Sequence, residues 1–399
     1  MRIEKKILIC GGGIAGPACA YWLHAYGYSV VIAERARTFR DGGQNVDIKG
    51  AGQQVIQMMG LAADIRARDT LEQGQKYLDV TGKVVATFPK GALGSLTNDF
   101  EILRGDFARV LFDATKSVCE YRMGTYVTHL EDHGAGVSVT FDNGEVEEFE
   151  MVICAEGISS TTRAMVLAEE THFRYLGAYM AFFNIPRRAE DDSWAYSVNG
   201  IGGTFITLRP GNERDTTVLV TFLRNDHDLS ADEAVGRKAL LRQALEGRGT
   251  VADRIRAELD TVDDFYFGPM SQVQATTWSK GRVVLLGDAA HCPTPFTGQG
   301  TALALTGAYV LAGEIKRGAN CADAFGAYET LLRPYADASQ QQLSPTLIRL
   351  LHAKTSFGIL ITRLAQKFFA SGVVQTLFKP SAAKRSRDIA EDFVFPTYS

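Results

Sequence analysis

The hydrophobic positions of this chain alternate between short continuous runs and helically spaced stripes. Lys6-Ile-Leu-Ile-Cys10 predicts a buried strand, Pro17 to Tyr26 a helix, and Tyr28 to Ala33 a second strand. Ala51 to Arg68 has helical spacing, Gln75 to Phe88 alternates like two strands about a turn at Gly82, and Glu101 to Leu103 leads into a helix reaching Cys119. Strands are expected at Thr125 to Leu130, Gly136 to Phe141 and Glu145 to Phe149, with Asp142-Asn143-Gly144 as a hairpin turn; Met151 to Ala155 is a buried strand ending in Glu156-Gly157. From about Tyr175 to Val273 the runs lengthen: Ala178 to Ile185, Gly203 to Leu208 and Thr217 to Arg224, plus one helix from Ala231 to Glu246. These predict an antiparallel sheet with a single covering helix, inserted into a first domain whose pattern resumes at Arg282 to Leu286. After Gly300 the chain reads as mostly helical to its end. The expected class is α/β, divided into 1–174, 175–274, 275–340 and a C-terminal helical segment, 341–399.

The first strand runs into Gly11-Gly12-Gly13-Ile14-Ala15-Gly16, and Glu34 closes the second strand. Strand, glycine turn, helix and strand make the βαβ unit that binds a dinucleotide. Gly11 allows the tight turn, Gly13 lets the backbone approach a pyrophosphate, and Gly16 lets helix and strand pack closely. The Glu34 carboxylate can accept hydrogen bonds from ribose hydroxyls and would repel a 2′-phosphate, which points to FAD or NAD rather than NADP.

A second segment, Gly287-Asp288-Ala289-Ala290-His291-Cys292-Pro293-Thr294-Pro295-Phe296-Thr297-Gly298-Gln299-Gly300, chooses between them. A buried strand ending in a carboxylate puts Asp288 where ligands of open α/β sheets sit, ready to accept hydrogen bonds from a polyol. FAD has a ribityl chain there and NAD does not. The helix expected from Thr301 to Arg317 would aim its positive N-terminus at the pyrimidine edge of an isoalloxazine. The first and third segments are therefore read as a Rossmann-like FAD-binding domain and the insert as a substrate domain.

On these residues the chain resembles the single-component flavin aromatic hydroxylases with the para-hydroxybenzoate hydroxylase fold. The glycine turn with Glu34 matches the FAD fingerprint, Glu156-Gly157-Ile-Ser-Ser-Thr-Thr-Arg163 the "DG" motif, and Gly287-Asp288 with Pro295 and Gly298-Gln299-Gly300 the "GD" motif; Glu101-Ile-Leu-Arg104-Gly-Asp106 is a fourth match. Glu156 stands where the family usually has Asp, which bears on how hydride reaches the flavin. Gly43-Gln44-Asn-Val-Asp-Ile48, Asp263-Asp-Phe-Tyr-Phe267 and Trp278-Ser-Lys-Gly-Arg-Val283 look most like tetracycline-inactivating flavin monooxygenases. The resemblance implies FAD held by Gly11, Gly13, Ala15, Gly16, Glu34, Arg35, Gln44, Arg104, Glu156, Gly157, Arg163, Gly287, Asp288, Pro295, Gly298, Gln299 and Gly300. It also implies NAD(P)H as co-substrate and O2 as oxidant, with hydroxylation of an aromatic or polyketide small molecule through a flavin 4a-hydroperoxide. No side chain is assigned as a catalytic group, because the flavin carries the chemistry. Phe296, Phe183, Phe205 and Phe222 are candidate substrate contacts. An FAD-dependent dehydrogenase or oxidase on the same fold, or a flavoprotein using FAD structurally, remains open.

Composition narrows the picture. Hydrophobic residues are 46% and charged residues 22% of 399, the usage of a globular enzyme. A net charge of -4 gives no reason to expect nucleic acid. The six cysteines show no paired or metal-ligand spacing and read as reduced thiols; together with the short polar lead Met1 to Lys6, they suggest a cytoplasmic protein without a metal, monomeric or homodimeric. Phe357 to Phe378 is the most membrane-like stretch, but Arg363, Gln366 and Lys367 interrupt it. It is read as a packed amphipathic helix, without stable membrane insertion. Its stripe of Ile359, Leu360, Leu364, Phe368 and Phe369 is expected to bury in the seam between the domains, as a bridge or lid above the substrate pocket.

Overall fold

The computed structural model describes residues 6–39, 43–92, 100–225, 236–262, 265–371 and 393–398. Lys6–Cys10 lies at the centre of a six-stranded sheet, parallel to Met151–Cys154 on one side and Ser29–Glu34 on the other. Val283–Leu285 and Glu120–Met123 extend it in parallel, and the two-residue strand Ser279–Lys280 closes one edge. Helices cover this sheet, so its inner strands are buried almost throughout and read as continuous apolar runs. The expected meander forms from Val127–Asp132, Val137–Phe141 and Val146–Phe149. The stretch expected as one helix at 51–68 is two, Gly50–Met58 and Ala62–Arg66, because Gly60 takes φ 74° between them.

The second sheet has seven strands, in the order Tyr266–Ala275, Thr171–Pro186, Asp215–Leu223, Thr204–Pro210, Ala195–Gly200, Gly74–Leu78 and Val84–Pro89. The hairpin read at 75–88 thus forms but belongs to this sheet, joined in parallel through Gly74–Leu78 to Ala195–Gly200. Two helices cover the outer face, Arg237–Leu245 and Thr250–Glu258, where one had been expected; residues 231–235 of that expectation lie outside the described residues.

Beyond Gly300 come helices Gly300–Arg317, Cys321–Gln341, Pro345–Leu351 and Ser356–Ala370. The first is buried nearly all round; its Ala302, Ala304, Gly307, Ala308 and Ala312 let neighbouring helices approach closely. One expectation fails here, the burial of the apolar stripe after Ser356. Phe393 to Tyr398 is not helical but an extended strap lying on Tyr309, Tyr335 and Gly313. Within the Ser356–Ala370 helix only Ile359 is buried, while Leu360, Leu364, Phe368 and Phe369 are exposed. The short helix Pro345–Leu351 packs on the second sheet instead, its Ile348 lying with Leu343 on Leu176, Ala178 and Met180. The remainder of the expected stripe, 372–378, and the basic residues Lys384, Arg385 and Arg387 lie outside the described residues. No described helix is long and apolar enough to cross a membrane.

Candidate active site

The site grows from the end of the first strand. Gly11 takes φ 112°, and a Cβ there would stand 2.5 Å from the carbonyl oxygen of Ala155 on the neighbouring strand. A Cβ on Gly16 would stand 2.0 Å from the Gly11 carbonyl oxygen, so only glycine lets helix Ala15–Ala25 start this close to the sheet. That helix has no side-chain cap and no acid in its first turn. Its N-terminus, with Gly11, Gly12, Gly13, Ile14 and Ala15, opens into a cavity of about 720 Å³. Glu34 lines the same wall, held by the amides of Gly12 (2.7 Å) and Ala36 (2.8 Å), which leaves each carboxylate oxygen a lone pair for a ribose hydroxyl. The Arg104 guanidinium reaches the turn, 3.4 Å from where a Cβ of Gly13 would begin. Arg35 and Gln44 also line the cavity, and Arg35 donates to Thr161 Oγ1 at 3.0 Å.

The second motif enters from the opposite end. Asp288 lines the cavity beside Gly300, with Pro295 and Gly298 bordering the same space. Burial pushes its carboxyl above the usual carboxylate range, while the positive charge of Arg104 opposes the shift. Helix Gly300–Arg317 also lacks an N-terminal side-chain cap and a first-turn acid. Lys49, a residue the sequence reading missed, brings its ammonium to 3.1 Å from where a Cβ of Gly298 would begin. Two uncapped helix N-termini, Arg104 and Lys49 thus converge on one cleft, with carboxylates at its two ends. That donor set fits FAD, with its central diphosphate and its polyol and ribose groups at either side.

Four predicted cofactor residues stand behind the wall rather than in it. Gly16 and Gly287 serve close packing, and a Cβ on Gly287 would meet that of Ala15 at 3.0 Å. Arg163 is buried and donates to the carbonyls of Ala289 (3.0 Å) and Ile158 (2.7 Å), bracing one motif against the other. Gln299 accepts from the Tyr335 hydroxyl at 3.0 Å. Gly157 and Glu156 do line the cavity, but the Glu156 carboxylate caps helix Thr161–Val166, accepting from Ser160 Oγ (2.5 Å) and the Thr162 amide (3.0 Å). His291 is buried against Trp278, away from the cavity; burial, aided by the charge of Arg333, pushes its pKa down to about 3 and leaves it neutral. Burial holds the Cys292 thiol protonated.

The second sheet supplies the facing wall. On strand Thr204–Pro210, Phe205, Thr207 and Arg209 line the cavity while Ile206 and Leu208 pack under the covering helices. Thr217 and Leu219 and, on the next strand, Phe182 face the same way. Phe296 completes this wall from the glycine turn. Phe183 and Phe222 do not: Phe222 stacks on Tyr179 and Phe183 meets Phe265 edge-on, both in the core on the other face. Strand alternation puts neighbouring residues on opposite faces, so Phe182 rather than Phe183 stands on the cavity wall. The seam also holds a charge cluster that sequence reasoning did not find. Arg209 donates to both carboxylate oxygens of buried Glu72, at 2.9 and 3.1 Å, and to buried Glu101, which also accepts from Asn45 Nδ2 at 2.8 Å. Its members come from separate parts of the chain, so no local spacing signals it.

Residues 4–339 match the FAD-binding domain family. The chain belongs to that family. It is 36% identical over 347 residues to a flavin-dependent monooxygenase from an unknown prokaryotic organism, covering 86% of this chain and 88% of the relative. It is 34% identical over 425 residues to the flavin-dependent monooxygenase eupH of a Phoma species, covering 98% and 97%. Among solved structures, tetracycline destructase Tet(51) superposes with a TM-score of 0.80 at 29% identity, over 99% of this chain and 100% of that one. The Klebsiella pneumoniae HpxO complex with FAD and uric acid, at TM-score 0.72 and 21% identity over 92% of this chain and 94% of that one, shares the fold. The protein is a flavin-dependent monooxygenase.

Proposed function

We propose that this monooxygenase uses NAD(P)H and O2 to hydroxylate a polycyclic aromatic small molecule rich in oxygen substituents, with tetracycline-like compounds among the candidates. The observation that carries the reading is the wall opposite the cofactor cleft. There, Phe182, Phe205 and Phe296 offer aromatic faces beside the hydrogen-bonding groups of Gln75, Thr207, Thr217 and Arg209. The cofactor cleft and this wall line one continuous cavity, so a substrate held against the wall would lie beside the cofactor. The tetracycline destructases among the structural neighbours support the same substrate class.

In this reading segments 1–174 and 275–340 hold the cofactor, and 175–274 with hairpin Gly74–Pro89 presents the substrate. The Gly11 to Ala15 turn and Arg104 would hold the diphosphate, Glu34 the adenosine ribose, Asp288 the ribityl chain, and the Gly298 to Thr301 helix start the pyrimidine edge. Bound there, FAD supplies hydride acceptance and oxygen activation. The protein's part is to orient the substrate ring and to exclude water; helix Pro345–Leu351, packed behind Phe182 and Phe296 of the cavity wall, would serve the second purpose. Six free thiols, five of them buried, support a reducing, cytoplasmic setting. The test is a panel of phenolic and polyketide compounds incubated with NADPH or NADH and analysed by mass spectrometry. A product heavier by one oxygen atom, with substrate-stimulated NAD(P)H oxidation, is expected. Peroxide formed in step with NAD(P)H consumption, without oxygenated product from any compound, would overturn this choice of substrate class.

A further inference from the structure

Helix Ser356–Ala370 is turned inside out. Its inward face carries Ile359, 4% exposed, followed by half-buried Thr362, Arg363 and Gln366, and it rests on the hairpin strand Val84–Pro89. Its outward face carries Phe357 at 71% exposure, Leu360, Ile361, Leu364 at 58% and Phe368 at 61%. Positions 357, 360, 361, 364 and 368 fall on one side of a helix, so the apolar stripe looks into solvent while the polar side faces the protein body. A helix packed only for stability would take the opposite orientation, and a continuous outward stripe of this kind marks a contact surface.

The charge around the stripe says what it contacts. Between Asp337 and Asp388 the chain has eight Lys or Arg residues and no Asp or Glu, in a protein whose net charge is -4. Of these, Arg349, Lys354 and Lys367 are exposed on or beside the helix and Arg363 lies on its inward side, while Lys379, Lys384, Arg385 and Arg387 lie outside the described residues. An exposed apolar stripe in an acid-free basic segment suits a surface that is apolar beneath and anionic above, the headgroup boundary of an anionic bilayer. We infer that this monooxygenase docks peripherally on anionic lipid membranes through helix Ser356–Ala370, laying Phe357, Leu360, Ile361, Leu364 and Phe368 into the interface with the protein body above it. The helix lies on the bilayer rather than across it; at 15 residues it is too short to span.

The test is co-sedimentation of the full-length, flavin-loaded protein with vesicles of phosphatidylcholine alone or enriched in phosphatidylglycerol. Because a surface Lys or Arg contributes about fivefold each, binding to the anionic vesicles is expected to be at least tenfold tighter at low salt. Most of that preference should vanish near 1 M salt, where the screening length falls to about 3 Å. Leu364→Asp and, separately, Phe368→Asp should each weaken vesicle binding about tenfold or more while flavin content and thermal midpoint stay unchanged, since both side chains are exposed. Lys367→Glu gives a second route, lowering the anionic preference without touching the stripe. Wild type that ignores anionic vesicles, binds neutral ones equally, or is unaffected by all three substitutions would overturn the inference. So would a solution dimer that Leu364→Asp dissociates, because a second copy would then be the occupant.

Discussion

Asp288 meets two opposing demands at one carboxylate: burial favours its neutral form and Arg104 its charged form. Ribityl hydroxyls would add donors to the charged form, so Asp288→Ala is expected to purify largely without flavin, which the absorbance ratio of flavin to protein reads directly. Glu34 acts at the other end, and Glu34→Ala should raise the FAD dissociation constant measured by fluorescence. The phenylalanines separate by face. Phe222→Ala, which empties a core site stacked on Tyr179, should cost about 3 kcal/mol or more in urea unfolding. Phe205→Ala, on the cavity wall, should cost well under half of that and change substrate KM instead. His291 adds an acid limit to stability. Its folded pKa is depressed to about 3 from 6.5, so below pH 6.5 the unfolded chain takes up the proton first and stability falls. The loss from this group should approach about 1.4 kcal/mol per pH unit. His291→Phe should flatten that acid limb between pH 6 and about 4 in unfolding measured across pH.

At the scale of elements, helix Gly300–Arg317 is the piece whose placement matters most, because its first turn borders the cofactor cleft and its last turns are gripped by the C-terminal strap. Tyr398 lies flat over Gly313, where a Cβ would come within 2.1 Å of the ring, and its hydroxyl donates to Glu314 Oε1 at 2.7 Å. Arg317 donates to the Thr397 carbonyl at 3.0 Å, and Tyr309 to that of Pro396 at 2.9 Å. Tyr398→Ala removes ring packing and a charge-assisted hydrogen bond, an expected loss of about 2–4 kcal/mol seen as a lower Tm. Gly313→Ala should be comparably harmful by pushing the ring away, and the Tyr398→Ala background should blunt that effect if the two groups act through one contact.

At the scale of the whole molecule, the seam is tied by Arg209 from the second sheet, Glu72 before its hairpin, and Glu101 and Asn45 from the antiparallel pair Asn45–Asp47 and Glu101–Leu103. Its worth lies in mutual satisfaction. Arg209→Met leaves two buried carboxylates without their cation, and a loss of about 3–5 kcal/mol is expected in thermal or urea unfolding. Adding Glu72→Gln and Glu101→Gln to that variant should return much of the loss, which a simple packing defect at position 209 would not allow.

The glycine turns, the acids at Glu34 and Asp288, and the strand-turn-helix order around them were legible in the chain because they are local. A turn needing positive φ, a strand ending in a carboxylate and a helix starting after glycine are each written within a few residues. What the chain could not decide was which way a face points. Alternation along Ala178 to Ile185 is symmetric, so Phe182 and Phe183 exchange roles until covering helices occupy one side of the sheet. Long-range pairing was equally silent: the Gly74–Pro89 hairpin joins the second sheet through Ala195–Gly200, more than a hundred residues later, and Arg209 finds Glu72 and Glu101 only once that sheet is built. The amphipathic stripe after Ser356 was plain in sequence, yet periodicity states only that a helix has an apolar side. Whether that side turns inward depends on what surface is left to cover it, and here Leu343 and Ile348 rather than that stripe cover Leu176, Ala178 and Met180 of the second sheet.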